Sequence, residues 1–262
     1  MPAERIAKSL STELQRQSYT FKEARLLHRN GKLTSRGLHT VVEATFLSSY
    51  ASFEAFVEDL FYDCVLGTSG LPDSVPIADL QNRELAESIL TLNRPFVKWL
   101  PWDVGVGSLA SILLQESGPF ARMARSVTEK GQLDEARLLR NAIAHNSGAA
   151  KMAVRDRISQ LPARRRTVGW YLLASPMAGV TRYETHLANL EAISKCVTAL
   201  SVVDGHKVLV DERPYASGQA APRGSYLCER SNHPHRIIRS HQILPICGLC
   251  HNAQKSRWSP AW

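Results

Sequence analysis

Residues 42–64, VEATFLSSYASFEAFVEDLFYDC, decide how this chain folds. Val42, Phe46, Tyr50, Phe53, Val57, Leu60 and Cys64 follow one another at steps of three or four. That period puts all seven on one side of a helix, so the stretch predicts a single long amphipathic helix that needs partners for its apolar stripe. A second long helix is predicted near residue 181. Thr181 and Glu184 have capping-box spacing, and Tyr183, Leu187, Leu190, Ile193, Val197 and Leu200 then repeat at the same period.

Shorter helices are expected over residues 80–92, 107–114 and 133–145, punctuated by Pro95, Pro101, Gly118 and Pro119. The N-terminal stretch to about Leu27 also reads as helical, though polar nearly all round. Only residues 167–173, TVGWYLL, read as a strand, and one strand makes no sheet. The expected fold class is therefore all-α, with a helical bundle over residues 1–205.

At 262 residues the chain exceeds the usual domain size of roughly 100–150, which predicts one larger domain and a small appendage. The Pro, Gly and Ser content of DERPYASGQAAPRGS marks a linker, assigned to residues 206–225, with SVVDGHKVLV before it reading as a short strand. Residues 226–262 remain as a small module. A net charge of +8 favours a polyanionic partner over an acidic one. Much of it lies at the end, where Arg223, Arg230, Arg236, Arg239, Lys255 and Arg257 face only Glu229. The first residues, MPAERIAKSL, carry charge where a secretory signal needs an apolar run, and no later stretch approaches ~20 apolar residues. A cytoplasmic protein with no membrane partner is the expectation.

Five cysteines are an odd number for a disulfide framework. Cys64 and Cys196 sit inside helical patterns, whereas Cys228, Cys247 and Cys250 crowd the tail. Cys247 and Cys250 form a C-x-x-C knuckle, and Cys228, His233, Cys247 and Cys250 make a tetrahedral zinc set of thiolates and one imidazole. Four intervening residues let Cys228 and His233 turn back onto one metal; His235 and His241 are the alternatives. Cys247 to His251 also spells the attachment motif of c-type haem, but that chemistry belongs to exported proteins. The plainer reading is a set of reduced cysteines in an unstructured basic tail. A segment of about 40 residues with few large apolar side chains can hardly fold unaided, which makes a metal the natural staple. Trp258 and Trp262, close to Lys255 and Arg257, suit either base stacking or packing on a zinc lobe.

Residues 137–148, RLLRNAIAHNSG, hold the candidate chemistry. Leu139 and Ile143 face the core. Arg137, Asn141 and His145 then form a polar stripe on the side away from it, Arg140 can swing to the same face, and Gly148 reads as the stop. Taken alone, this is a solvated helix face ending in a cation, which the helix dipole favours by ~0.3–1 kcal/mol.

Three features in order change that reading: SSYASFEAFVEDLFYD on the first long helix, RNAIAH, and GWYLLASPMAGVTRYETHLANLEAI leading into the second. Over about residues 35–200 the chain resembles the HEPN superfamily (higher eukaryotes and prokaryotes nucleotide-binding domain), most of all the branch associated with RiboL-PSP proteins. The resemblance implies a metal-independent endoribonuclease of the toxin or antiviral-defence kind. It also implies a homodimer in which two motif helices meet, RNA as the substrate, and an antitoxin or inhibitor protein as a further partner. Arg140, Asn141 and His145 are then catalytic. The chemistry is coherent: attack by a 2′-hydroxyl on phosphorus needs a base, an acid and positive charge, and two copies of His145 and Arg140 supply all three. Asn141 would orient His145 or hold a phosphate oxygen. Glu54 either supports the site or is an exposed acid paired with a surface Arg. Two rivals stand beside this: a non-catalytic HEPN protein that binds nucleotide or nucleic acid as a regulatory part, and a basic DNA-binding regulator read out by its zinc module.

Overall fold

The computed structural model describes residues 2–199 apart from 79, 81, 92–96, 124–125, 146, 176–178 and the side chain of Arg164, together with the backbone of six short strands between 215 and 260. The chain divides into two compact units, Met1–Ser201 and Val202–Trp262.

The described part of the first unit is mainly helical, and Pro76 and Leu114 form an isolated β-bridge. Helix α1 (Pro2–Arg29) buries Ala3, Leu10, Leu14, Gln17, Phe21 and Ala24. Those positions fall on one face, so α1 is amphipathic rather than polar all round; its stripe is thin because three of the six are Ala or Gln. Helix α2 (Ser35–Val65) starts where the Thr34 hydroxyl accepts the Gly37 N–H at 3.1 Å. All seven residues of its predicted stripe are buried. Its second half also buries Phe56, Phe61, Tyr62 and Val65, so here the buried arc widens beyond the stripe, leaving Ala51, Ala55 and Asp59 towards solvent. Truncating Phe53 or Phe61, both fully buried, should cost about 3–5 kcal/mol.

Around α2 stand α3 (Arg83–Thr91), α4 (Val106–Leu113), a 3-10 segment (Gln115–Met123), α5 (Val127–Ala144), α6 (Gly148–Ser159), α7 (Val168–Leu173) and α8 (Arg182–Thr198). Helices α1, α5, α7 and α8 all pack on α2, and α5 also touches α6, α7 and α8. The capping box of α8 forms as expected: Thr181 Oγ1 accepts the Glu184 N–H at 3.2 Å, and Glu184 Oε2 accepts the Thr181 N–H at 2.9 Å.

TVGWYLL is α7, a helix and not a strand. Six apolar residues carry no period that separates the two, and capping decides: the Thr167 hydroxyl accepts the Trp170 N–H at 3.3 Å. Gly169 then lies against α2 and donates its N–H to Glu43 Oε1 at 2.8 Å. A Cβ there would meet His39 Cβ and Glu43 Oε1 at 3.0 Å, so the close approach favours glycine. Gly148 also differs from expectation. It opens α6, because Ser147 caps that helix by accepting the Ala150 N–H at 3.2 Å.

In the second unit the backbone forms β1 (Tyr215–Ala216), β2 (Ala220–Ala221), β3 (Gly224–Cys228), β4 (Pro234–Ile237), β5 (Gln242–Ile243) and β6 (Arg257–Pro260). They pair antiparallel as a four-stranded sheet in the order β1-β6-β3-β4 and a two-stranded β2-β5 pair. Strands β1 and β2 thus occupy the stretch whose composition marks a linker. Cys228 closes β3 opposite Trp258. His233, His241, Cys247 and Cys250 lie outside the described residues, as does SVVDGHKVLV. Among the described residues, no helix is long and apolar enough to cross a membrane.

Candidate functional site

Leu133, Ala136 and Leu139 are buried, and they fix the roll of α5 about its axis. With Leu139 fully buried, Arg140 is turned along the flank towards α2. Its Nη1 donates to Asn141 Oδ1 at 3.2 Å, and its Nη2 lies 3.9 Å from Glu54 Oε2. Both side chains are about one third exposed, so the attraction is screened and weak. Burial pushes the Glu54 carboxyl above its ordinary range, with Arg140 pulling the other way. One turn earlier on α2, the Tyr50 hydroxyl is buried with no hydrogen-bond partner among the described residues. Burial first, and Glu54 second, holds that phenol far above its ordinary pKa against Arg137 and Arg140.

The polar stripe of α5 therefore borders α2 and is only partly open to solvent. Arg137 shows this most clearly: its Nε is shielded, and the nearest acid is Asp134 at 3.7 Å. His145 stands apart. It is the C-cap of α5, in extended backbone, exposed, with its N–H donating to the Asn141 carbonyl at 2.9 Å. Asn141 is thus bound to Arg140 through its side chain and to His145 through its backbone. What this helix end offers chemically is one open imidazole and, little more than a turn away, a guanidinium that a weak carboxylate contact can release to a phosphate.

A second polar cluster lies five residues back on α5, and sequence reading missed it. Glu135 Oε1 accepts the Tyr171 hydroxyl at 2.6 Å and pairs with Arg157 Nε at 3.3 Å, while Oε2 is 3.7 Å from His186 Nε2. Burial, and then the bond to Glu135, pushes the Tyr171 phenol up to about 12. Burial pushes the His186 imidazole down, so it stays neutral despite Glu135. The four residues come from α5, α6, α7 and α8, and no spacing in the sequence relates them.

Residues 148–166 were also missed. Lys151, Arg155, Arg157, Arg164, Arg165 and Arg166 stand there against Asp156 alone. The net positive charge of this segment and the tail together exceeds the net charge of the whole chain. The run of three arginines was a visible signal. No family model, curated protein or solved structure matches the chain.

Proposed function

We propose that the protein is a HEPN-type endoribonuclease of the toxin or antiviral-defence kind, in which Arg140, Asn141 and His145 act on the phosphate where RNA is cut. The observation that carries this reading is the end of α5: an exposed imidazole at the cap beside a guanidinium bonded to Asn141 and loosely held by Glu54. The 2′-hydroxyl attacks the adjacent phosphorus as a base takes its proton. The bond to the 5′-oxygen then breaks as an acid protonates it, leaving a 2′,3′-cyclic phosphate and a 5′-hydroxyl. Histidine serves both roles near neutrality because its ordinary pKa is ~6.5. One chain contributes one His145, so base and acid come from two chains of a homodimer, and two copies of Arg140 stabilise the charge on phosphorus. No metal-bound water is needed, since the nucleophile belongs to the RNA.

Expression of the chain beside its His145→Ala form tests this. RNA breakdown and growth arrest should follow only the first. RNA left intact by a chain that binds DNA would favour the DNA-binding regulator. The shared site has its own test: a His145→Ala chain exchanged into dimers with the intact chain should lower activity by more than its share of the mixture, because a mixed dimer keeps one His145 and lacks either base or acid, and full activity from a sedimenting monomer would contradict it.

The tail is proposed as a structural zinc module on the spacing of Cys228, His233, Cys247 and Cys250 alone. Elemental analysis should find about one zinc per chain. Cys247→Ser should release it with the helical circular dichroism unchanged.

A further inference from the structure

A cleft of about 640 Å³ opens between the end of α5, helix α6 and the start of α7. That volume lies within the ~300–1,000 Å³ usual for sites that enclose a small molecule. Ala142, Val154 and Val168 give it an apolar floor, and Lys151, Arg155 and Arg166 stand around it. Ala142 follows Asn141 in the last turn of α5, three residues before the His145 cap. The cleft therefore begins beside the candidate catalytic end of α5.

Its charge is not consumed by the protein. Among the described residues, neither Lys151 nor Arg166 is paired with a carboxylate; Arg166 Nε donates to the Leu161 carbonyl at 3.2 Å. Arg155 has only Asp156 at 3.6 Å, and both side chains are more than half exposed. Arg157, by contrast, is committed to Glu135 and does not line the cleft.

We propose that this cleft holds one nucleotide of single-stranded RNA, its base on the Ala142, Val154 and Val168 floor and its flanking phosphates on Lys151, Arg155 and Arg166. This inference rests on the ribonuclease reading and gives it a substrate-holding surface. An apolar floor ringed by cations suits an unstacked base with charge on both sides, which a paired duplex cannot present.

The test is a fluorescence-anisotropy titration of a labelled oligouridine with the full chain carrying His145→Ala, so that the RNA survives. Replacing Lys151, Arg155 and Arg166 together by Gln removes three exposed cations, and circular dichroism checks that the helices persist. Each phosphate contact on a single strand contributes about 0.7 to the slope of log K against log salt. The triple variant should therefore lose about 2 from that slope, and its affinity deficit should be about twentyfold larger at 50 than at 200 mM salt. A control triple, Lys8→Gln, Lys22→Gln and Arg29→Gln on α1, should bind almost as the parent does. An unchanged slope for the cleft triple, or an equal loss in the control, overturns the proposal. Equal competition by a duplex overturns the base-holding role. If the His145-intact chain still cuts RNA in any of these cases, only the cleft assignment falls; if it neither binds nor cuts RNA, the ribonuclease reading falls as well.

Discussion

Helix α5 carries two polar clusters that differ in how tightly their acids are held. Around Glu135, one carboxylate accepts the Tyr171 hydroxyl at 2.6 Å, pairs with Arg157 at 3.3 Å and lies 3.7 Å from the buried His186, so four helices meet on it. Around Arg140, the nearest acid is 3.9 Å away, Asn141 is half-buried and His145 is exposed. Groups held by short contacts to a shared acid stabilise the packing of the helices that bring them together. Groups left partly open keep their hydrogen-bonding capacity for something else. On the proposed reading, one half of α5 serves packing and the other serves chemistry.

The largest expected effect separates the two halves outright. His145→Ala should lower RNA cleavage by ~10²–10⁴ with an unchanged denaturation midpoint, as befits loss of a general acid or base at an exposed position. Glu135→Ala should do the reverse in kind, costing about 2–3 kcal/mol in chemical denaturation because the Tyr171 hydroxyl and Arg157 lose their acceptor. A His145→Ala chain that melts early, or a Glu135→Ala chain as stable as the parent, breaks the division.

A smaller effect comes from pH. Burial lowers the pKa of both His186 and His39, so below about 6.5 the unfolded chain takes up protons that the folded chain refuses. Stability present above pH 6.5 is therefore lost as the pH falls, for His186 by up to ~1.4 kcal/mol per pH unit. Glu43 and Glu54 act in the opposite sense just above pH 4.5, because burial raises their pKa and the folded chain keeps protons that the unfolded chain gives up. Denaturation at pH 7.5 and 6 should show the loss, and a His39→Asn, His186→Asn chain should flatten it.

The smallest effect sharpens the open half. Glu54→Gln removes a contact between side chains that are each 34% exposed, a pair worth at most ~1 kcal/mol. Cleavage should change by no more than about fivefold, through the position of Arg140, with stability nearly unaltered. A loss as deep as that of His145→Ala would make Glu54 a direct participant.

The parts of this molecule legible in its sequence are those set by local period and capping. The stripe of α2 and the Thr181–Glu184 box depend on residues within one or two turns of each other, and both form as the spacing dictates. What the sequence misled on was decided by short polar side chains at helix ends: Thr167 turns TVGWYLL into a helix, and Ser147 makes Gly148 a start instead of a stop. Arg140 and Asn141 could be placed together because they are neighbours on α5. The approach of Glu54 and Tyr50 to that helix, and the meeting of four helices at Glu135, depend on how helices dock across the bundle, which no local pattern encodes.

The central claim is that the open end of α5 cuts RNA with the RNA's own hydroxyl. The most direct measurement compares an RNA substrate with the same strand carrying a single 2′-deoxy nucleotide at the cut position, in EDTA, with the products' ends identified by mass spectrometry. The account predicts a 2′,3′-cyclic phosphate from the RNA and no cleavage of the deoxy strand at that position. Cleavage of the deoxy strand at the rate of RNA would contradict it and return Arg140, Asn141 and His145 to an ordinary solvated helix end.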